Sequence, residues 1–380
     1  MGDIKRIAIL GSTGSIGRQT LEVVRSFPEK LRVVGLAGGR NASLLGEQLQ
    51  EFQPLVFSSL ATELSPSGAK RVSLEEMAAH PEVDLVVVAT SGGVGLWPTM
   101  AAIRAGKEIA LANKEVLVTA GEIIIHEASK RGVVIRPVDS EHSAIWQCLQ
   151  GEKVGEVGEV ILTASGGPFR NRPREELAQV TPAEALRHPT WKMGRKVTID
   201  SATLLNKGME VIEAHWLFDL DFDHIGVIIH PQAIIHSLVR FVDGSLKAQL
   251  APPDMRLPIQ YALSYPERWE GNGFPQLNLE ELSSLEFEPV DLDKFLCLKL
   301  ALQVGRAGGT YPAVFAAADE LAVELFLAGR IGFLDIPELI TWVLEQHEGK
   351  AHPTLEEILE VEHWVEGKVN EFVRSRGGPK

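Results

Sequence analysis

Two carboxylates flank a hydroxyl in Asp139-Ser140-Glu141, where the apolar run 133–135 ends and a helical pattern begins. Open α/β sheets place their ligand sites at the carboxyl ends of strands, so chemistry is expected at this point. A third carboxylate, Glu210, closes the segment 206–210 further along the chain. Carboxylate oxygens are hard ligands that suit Mg²⁺ or Mn²⁺. The sequence therefore predicts a metal-dependent enzyme.

These residues also have purely structural interpretations. Asp139 and Ser140 are common helix-capping residues, and an acidic residue suits the first turn of a helix. Helical spacing within 198–210 places Lys207 three residues before Glu210, and such a pair is usually a surface ion pair that contributes about 0.3–0.5 kcal/mol. The segment is otherwise apolar. We therefore predict that its polar side chains are buried and bind a phosphate and a metal.

Three more polar residues follow the predicted strand 108–111. They are Asn113, Lys114 and Glu115, and they belong to the same sheet edge as Asp139. A solvated ion pair is the structural alternative. We predict that Lys114 reaches a substrate oxygen, while Asn113 and Glu115 contact a cofactor.

Two loops in the second half of the chain are also candidates. Ser165-Gly166-Gly167 offers backbone N–H groups to an anion, although a plain turn has the same composition. The basic stretch 171–195 is too polar for a core and long enough for a mobile lid. His188, Trp191 and Met193 lie within it. A lone histidine is more often structural, but the Trp and Met predict an apolar cover that excludes water.

Short apolar runs alternate with helical patterns through the first 140 residues and would position these groups. Runs of this kind predict strands buried on both faces, hence a parallel sheet. The predicted strands are 6–10, 32–37, 84–89, 108–111 and 133–138.

A glycine turn, 11–17, follows the first strand and precedes a predicted helix, 19–26. This is the context of a dinucleotide-binding turn, although glycine turns also occur for geometric reasons alone. The second strand is followed by Arg40, where an NAD enzyme usually carries an acidic residue. A cation there suits a 2′-phosphate, so NADPH is favoured over NADH.

The pattern changes after residue 150. Predicted strands at 157–163, 225–229, 237–241 and 245–250 alternate in polarity, which is typical of a mostly antiparallel sheet with one wet face, often an oligomer surface. The predicted fold class is α/β, with four parts. They are a Rossmann-like NADPH domain (1–150), an α+β catalytic and dimerisation domain (151–265, with a flap at about 183–196), a linker (266–290) and a C-terminal helical bundle (291–380).

Composition restricts the partners. The chain has 51 acidic and 37 basic side chains in 380 residues, a net charge of -14, which argues against nucleic acid or an anionic membrane. Only Cys148 and Cys297 occur, so neither a disulfide framework nor a zinc site is expected. With no apolar leader and no long apolar run, we expect a cytoplasmic protein.

The motifs GSTGSIG, LANKE, PVDSEH, ASGGPFR and HPTWKMGRKVTIDSATLLNKGMEVIEAHWLF extend this interpretation. Over essentially the whole chain, the sequence resembles the 1-deoxy-D-xylulose 5-phosphate reductoisomerase family. The resemblance implies rearrangement and reduction of that ketose phosphate to 2-C-methyl-D-erythritol 4-phosphate, a step of the non-mevalonate isoprenoid pathway. It also implies NADPH, a divalent metal (Mg²⁺, Mn²⁺ or Co²⁺) and a homodimer.

The resemblance implies a role for each matching residue. The implied metal ligands are Asp139, Glu141 and Glu210, which with Lys114 form the catalytic set. The implied phosphate ligands are Ser165, Ser201, Asn206 and Lys207. The remaining substrate contacts are Lys114, Ser140, Glu141, His188, Trp191 and Glu210. The implied NADPH contacts are Thr13, Gly14, Ser15, Ile16, Gly39, Arg40, Asn41, Asn113, Glu115 and Gly194. Trp191 and Met193 match the flap.

Two other classes of protein remain open on sequence grounds. Another NADP-dependent enzyme, such as a semialdehyde or homoserine dehydrogenase, could share the first domain. A semialdehyde dehydrogenase needs a cysteine nucleophile, and a homoserine dehydrogenase does not need the three carboxylates. A catalytically silent NADPH-binding scaffold would need neither the carboxylates nor a phosphate site.

Overall fold

The computed structural model describes residues 4–62, 64, 68–270 and 273–376, which group into two compact units. Unit 1 consists of Met1–Val116, Ile124–Trp146 and Asp254–Gln276, and unit 2 consists of Leu117–Ile123, Gln147–Pro253 and Leu277–Lys380. The four-part division of the sequence stays a prediction. Residues 1–3, 63, 65–67, 271–272 and 377–380 of its predicted parts lie outside the described residues.

Unit 1 is built on a parallel seven-stranded sheet with the strand order β4-β3-β2-β1-β5-β6-β7. The strands are β1 (Lys5–Leu10), β2 (Leu31–Gly38), β3 (Val56–Ser59), β4 (Lys70–Arg71), β5 (Leu85–Val88), β6 (Glu108–Leu111) and β7 (Ile135–Pro137). All four residues of β5 are buried and apolar, as expected for a strand covered on both faces. The predicted Rossmann-like sheet is confirmed. The strands β3 and β4 were not predicted.

Helices follow most of these strands. They are α1 (Ser15–Ser26), α2 (Ala42–Phe52), α3 (Leu74–Ala78), α4 (Leu96–Arg104), α5 (Glu115–Arg131) and α6 (Ser140–Cys148). Side-chain hydrogen bonds cap the N-termini of several of these helices. Asn41 Oδ1 accepts a hydrogen bond from the Leu44 N–H at 3.1 Å, and Ser73 with Glu76 forms a capping box.

Unit 2 contains a five-stranded sheet with the order β11-β10-β8-β9-β12. The strands are β8 (Val157–Ala164), β9 (Ile225–Ile229), β10 (Ile235–Phe241), β11 (Leu246–Leu250) and β12 (Glu288–Pro289). β8 and β9 are parallel, and the other three pairings are antiparallel. The predicted mostly antiparallel sheet is confirmed.

The remaining helices complete the chain. They are α7 (Pro182–Ala185), α8 (Arg195–Thr203), α9 (Leu205–Phe218), α10 (Arg256–Ser264), α11 (Leu296–Ala307), α12 (Tyr311–Leu327), α13 (Asp335–Glu345) and α14 (Leu355–Ser375). The last four form the predicted C-terminal helical region, with Phe315 and Phe326 among its fully buried side chains. None of the helices in the described ranges has both the length and the apolar character needed to cross a bilayer.

The helical spacing of 198–210, which the sequence pattern left undivided, is interrupted at Leu204. This residue has a left-handed backbone (φ 56°) and separates α8 from α9. Such a conformation costs a non-glycine residue about 1–2 kcal/mol. Thr203 Oγ1 accepts a hydrogen bond from the Leu205 N–H at 3.3 Å, and the Leu204 side chain is buried. Local hydrogen bonding and packing therefore offset the cost of the break between α8 and α9.

Two cations of the unit 1 sheet hold helix α10. Lys5 Nζ donates to the Leu263 carbonyl at 2.7 Å, and Arg136 donates to the Ala262 carbonyl at 2.8 Å. Both carbonyls lie in the last turn of α10, where backbone acceptors need partners and the helix dipole favours positive charge. Burial lowers the pKa of both side chains, and the Glu108 carboxylate opposes that shift.

Replacing Arg136 with methionine is expected to destabilise unit 1. Arg136 is buried and also bonds Glu108 at 2.5 Å, so the variant leaves a carbonyl and a carboxylate without their donor. We expect a loss of about 1–3 kcal/mol in the free energy of unfolding, measured by urea denaturation. Arg25→Met, which removes an exposed ion pair with Glu51, is the control and should cost at most about 1 kcal/mol. Equal losses in the two variants would contradict this account.

Candidate active site

In the glycine turn between β1 and α1, the backbone passes very close to the segment after β5 and to the turn's own first residues. Gly11 has φ +93°, and a Cβ there would lie 2.4 Å from the Ala89 carbonyl oxygen. A Cβ on Gly17 would lie 2.2 Å from the Gly11 carbonyl oxygen. Only glycine fits at either position. The turn leads into the N-terminus of α1, a position suited to a phosphate group. The predicted cofactor residues Thr13, Gly14, Ser15 and Ile16 all lie here.

A buried residue that no sequence motif identified, Gln48, holds this turn. Ser12 Oγ donates to Gln48 Oε1 at 2.7 Å, and Gln48 Nε2 donates to the Ser12 carbonyl at 3.0 Å. Gln48 belongs to α2 and is 4% exposed. This reciprocal pair connects the glycine turn to the helix after β2. No local sequence signal identifies it, since the two residues are 36 positions apart.

Gly39, Arg40 and Asn41 follow the carboxyl end of β2 and are exposed. The Asn41 side chain caps α2, so its amide oxygen already has a structural role. Arg40 presents a guanidinium at the edge of the sheet that the glycine turn also occupies. This placement suits recognition of a 2′-phosphate.

Asn113, Lys114 and Glu115 follow β6, and the first two make separate side-chain contacts. The Asn113 amide donates to the Gly92 carbonyl at 2.9 Å and its oxygen accepts from the Val116 N–H at 3.2 Å. Asn113 thus ties the loop after β5 to the start of α5, where Glu115 is the first residue. Lys114 Nζ lies 2.8 Å from Asp139 Oδ2, and both side chains are largely buried.

Asp139, Ser140 and Glu141 form a compact set beyond β7. The Asp139 carboxylate accepts from the Ser140 N–H at 3.0 Å, and Ser140 Oγ donates to Glu141 Oε2 at 2.5 Å. Helix α6 begins at Ser140. Ser140 is therefore the first helical residue and not a cap. Unit 1 brings Lys114 and the three residues of this motif together.

Unit 2 holds Glu210 in a buried polar set on α9. Its two carboxylate oxygens accept hydrogen bonds from the Asn206 amide and from Lys207 Nζ. Lys207 is 4% exposed and Glu210 is 1% exposed. The prediction that these residues are buried is confirmed for Lys207 and Glu210, whereas Asn206 is half-buried. A buried ion pair is costly to maintain, so the Lys207–Glu210 pair makes this helix a candidate for a functional role.

The loop after β8 approaches α8 at the predicted phosphate site. Gly166 and Gly167 have positive φ angles of 83° and 64°, and a Cβ on Gly167 would lie 2.6 Å from the Ser201 carbonyl oxygen. Ser165 Oγ and Ser201 Oγ each lie 3.1 Å from His188 Nε2. The structure therefore assembles Ser165, Ser201 and His188, which are far apart in the sequence.

The predicted flap includes residues 186–194, which connect α7 to α8. Its backbone folds over the His188 ring, whose Nδ1 accepts from the N–H groups of Thr190 at 3.1 Å and Trp191 at 2.9 Å. The Trp191 ring lies 6.2 Å from the ring of His236, a buried residue to which the sequence pattern assigned no role. Gly194 precedes the first turn of α8.

The pKa values of these histidines predict an acid-sensitive stability. Burial lowers the pKa of His188 to about 4, and burial together with the Lys207 charge lowers the pKa of His236 to about 4 although backbone carbonyls oppose the shift. Unfolded histidine binds a proton below about pH 6.5. Their contribution to stability is therefore present above pH 6.5 and is lost as the pH falls toward 4.

We expect the melting temperature of the wild type to fall more steeply between pH 6.5 and 4 than that of His188→Asn. The exposed His224 provides the control, since His224→Asn should keep the wild-type slope. Melting curves at closely spaced pH values test this expectation. An identical slope in all three proteins would be evidence against the neutral state of His188 in the folded protein.

The two cysteines are poor nucleophiles. Burial raises the pKa of Cys148 to about 11 and raises that of Cys297 well above its ordinary value. A thiol that stays protonated cannot attack a carbonyl efficiently. The structure thus supplies no activated thiol for a semialdehyde dehydrogenase mechanism at either position.

Three family models match the chain. The model for 1-deoxy-D-xylulose 5-phosphate reductoisomerase matches residues 7–121, and the model for the C-terminal domain of that enzyme matches residues 135–218. A further model, the DXP reductoisomerase C-terminal domain, matches residues 250–368.

Individual relatives agree with these models. The 1-deoxy-D-xylulose 5-phosphate reductoisomerase of Desulforamulus reducens is 54% identical over 98% of this chain and 100% of its own length. That of Moorella thermoacetica is 55% identical over 95% of this chain and 96% of its own length. A crystal structure of DOX-P reductoisomerase in complex with NADPH, fosmidomycin and magnesium has a TM-score of 0.91 at 39% identity, covering 99% of this chain and 100% of that one. The Zymomonas mobilis enzyme in complex with NADPH has a TM-score of 0.91 at 36% identity, covering 98% and 100%.

The fold and the site define the class of this protein as an oxidoreductase with a Rossmann-like nucleotide-binding unit. The matches extend through both units, including the buried set on α9 and the flap. The chain belongs to the 1-deoxy-D-xylulose 5-phosphate reductoisomerase family.

Proposed function

We propose that this protein converts 1-deoxy-D-xylulose 5-phosphate into 2-C-methyl-D-erythritol 4-phosphate with NADPH and a divalent metal, the reductoisomerase step of the non-mevalonate isoprenoid pathway. The observation that carries the proposal is the buried Lys207–Glu210 ion pair with the half-buried Asn206 beside it, in a member of this family. A structural helix has no need of a buried cation and carboxylate in contact with an amide. A phosphorylated substrate and a metal give each of them a function.

The proposed metal ligands are Asp139, Glu141 and Glu210. Three carboxylates are a hard donor set that suits Mg²⁺, Mn²⁺ or Co²⁺. Asn206 and Lys207 hold the Glu210 carboxylate, and Lys114 holds Asp139, so neighbouring donors orient these ligands. The bound metal would supply Lewis-acid polarisation of substrate oxygens.

The proposed NADPH site uses the glycine turn, the end of β2 and the start of α5. Thr13, Gly14, Ser15 and Ile16 would receive the pyrophosphate at the N-terminus of α1. The other proposed contacts are Gly39, Arg40, Asn41, Asn113, Glu115 and Gly194. Arg40 would pair with the 2′-phosphate, which explains a preference for NADPH over NADH. The cofactor would supply the hydride.

The proposed phosphate site consists of Ser165, Ser201, Asn206 and Lys207. Two hydroxyl groups, an amide and a cation are suitable donors for a phosphate dianion. Lys114, Ser140, Glu141, His188 and Trp191 would contact the rest of the substrate. Binding energy from the phosphate then orients the reacting carbons.

Lys114 completes the proposed catalytic set with Asp139, Glu141 and Glu210. Its ammonium is held at 2.8 Å from Asp139, so a donor stands ready where negative charge develops on a substrate oxygen. The flap, with Trp191 and Met193, would exclude water from the reacting carbons.

Assembly and location are part of the same proposal. We infer a homodimer formed through the unit 2 sheet, whose edge strand β11 exposes Leu246 and Leu250. We also infer that the protein is cytoplasmic and that its partner is a small phosphosugar. The four-part domain division stated above belongs to the same proposal. Sedimentation equilibrium tests the dimer. A monomer at micromolar protein concentration would contradict it.

A substrate and cofactor panel tests the proposed function. We expect oxidation of NADPH with 1-deoxy-D-xylulose 5-phosphate and much slower oxidation of NADH. Homoserine and aspartate semialdehyde, tested in the direction appropriate to each dehydrogenase, should give no turnover. Activity with either of them in place of the ketose phosphate would favour another dehydrogenase. NADPH binding without any turnover would favour a silent scaffold.

A further inference from the structure

We infer that His188 is a positioning residue that links the phosphate-binding serines to the backbone of the flap. One ring nitrogen contacts Ser165 and Ser201, and the other accepts hydrogen bonds from Thr190 and Trp191. The inference rests on the proposed phosphate site and adds a mechanism by which occupancy of that site reaches the flap.

The hydrogen bonds fix the tautomer of the ring. Nδ1 lies 3.1 Å from the Thr190 nitrogen and 2.9 Å from the Trp191 nitrogen, and both of these groups are donors. A nitrogen that accepts two N–H groups carries no proton itself. The neutral ring must therefore carry its proton on Nε2. Burial, which lowers the pKa of His188 to about 4, supports the neutral state at physiological pH.

The Nε2 proton in turn sets the direction of the serine hydroxyls. Nε2 lies 3.1 Å from each serine oxygen, so those oxygens act as acceptors toward the ring. Ser165 Oγ also accepts from the Gly167 N–H at 3.3 Å. A hydroxyl whose oxygen already accepts uses its own hydrogen to donate elsewhere. His188 therefore prepares Ser165 and Ser201 as donors for an acceptor-only ligand such as phosphate.

The same ring holds the flap turn. The contacts from Nδ1 to the residues two and three positions ahead resemble an Asx turn, in which a side-chain acceptor organises the following backbone. Trp191 is one of the two residues bound in this way. A ligand that orders the serines therefore orders the ring, and the ring orders the backbone that carries the flap tryptophan.

Two conservative variants separate the two sides of the ring. In His188→Asn, the side-chain oxygen takes the place of Nδ1 and keeps the turn, but it does not reach the serines. In His188→Gln, the longer amide takes the place of Nε2 and keeps the donor to the serines, but the acceptor for the turn is lost. The probe is inorganic phosphate with the full chain, so turnover is not required.

Two measurements report on the two sides independently. Calorimetric titration gives the Kd of inorganic phosphate. The rate of trypsin cleavage at the exposed Arg187, Lys192 and Arg195 reports the order of the flap. In the wild type, saturating phosphate should slow cleavage by about fivefold or more, the scale of a coupling near 1 kcal/mol. Circular dichroism melts confirm that both variants are folded.

The two variants should fail in opposite ways. In His188→Asn, the Kd of phosphate should rise about tenfold, the equivalent of one lost hydrogen bond. Trypsin should cleave the flap of this variant at a rate that phosphate does not change. His188→Gln should keep a phosphate Kd within about threefold of the wild type, yet show fast cleavage that phosphate no longer slows. Identical behaviour of the two variants, or full phosphate protection in His188→Gln, would overturn the inference.

The wild type separates this inference from the proposed function. If it turns over 1-deoxy-D-xylulose 5-phosphate but phosphate leaves its trypsin cleavage unchanged, the linking role of His188 fails and the proposed function stands. If it does not turn over the ketose phosphate, the proposed function itself fails.

Discussion

Replacing Glu210 with glutamine is expected to lower kcat/KM for the ketose phosphate by about 10²- to 10³-fold, the scale of removing a preorganised electrostatic group. Both carboxylate oxygens accept hydrogen bonds, one from Asn206 and one from Lys207. Glutamine offers only one acceptor, so one of these donors would face an NH₂ group. The buried Lys207 charge would lose its counter-ion, and the proposed metal would lose a charged ligand.

The effect should be selective for the metal. Titration with Mn²⁺ should show a large loss of metal affinity, whereas NADPH fluorescence should give a Kd close to that of the wild type. Glu159→Gln, the same chemical change in a partly exposed ion pair of unit 2, provides the control and should alter neither. Equal losses of metal and NADPH affinity in Glu210→Gln would count against the ligand assignment, as would unchanged metal affinity.

Replacing Gly17 with alanine should have the opposite selectivity. The new Cβ would lie 2.2 Å from the Gly11 carbonyl oxygen and 2.5 Å from the Ser12 Cα, so backbone must move. Displacements near 1 Å in a binding constellation cost about 100-fold. We expect an NADPH Kd raised by about that factor, with overpacking costing about 1–3 kcal/mol of stability. Mn²⁺ affinity should be unchanged.

Gly46→Ala is the matched control for this substitution. Gly46 lies in helix α2 of the same unit, and its Cβ would meet only the Leu64 side chain at an ordinary distance of 3.6 Å. Alanine in a helix interior is favoured over glycine by about 1 kcal/mol, so this variant should be slightly more stable and bind NADPH normally. Normal NADPH binding by Gly17→Ala would contradict the assignment of the glycine turn.

Elements with a strong local pattern were predicted closely. β6 and β9 have the predicted bounds, because each is a short apolar run between clear breaks. β4 was not predicted, since it consists of two exposed basic residues that give no apolar signal. The break at Leu204 was not predicted either. It has no glycine or proline, and it depends on a threonine hydrogen bond and on packing.

The candidate site shows the same division between local and long-range information. Asp139, Glu141 and the glycine turn were predicted from their types and their positions after strands, Glu210 from helical spacing, and Ser201 only from the family resemblance. The supporting contacts were not predicted, because Gln48 bonds Ser12 and His236 lies beside Trp191 across long stretches of the chain. A sequence pattern identifies groups that can do chemistry. The fold decides which groups hold them in place.

The most direct test of the central claim is NADPH oxidation by the purified protein with 1-deoxy-D-xylulose 5-phosphate, before and after removal of divalent metal by a chelator. We expect oxidation that stops with the chelator, returns with added Mg²⁺ or Mn²⁺, and yields 2-C-methyl-D-erythritol 4-phosphate as the product identified by NMR. Oxidation that persists without metal, or tight NADPH binding with no branched product, would contradict the proposed function.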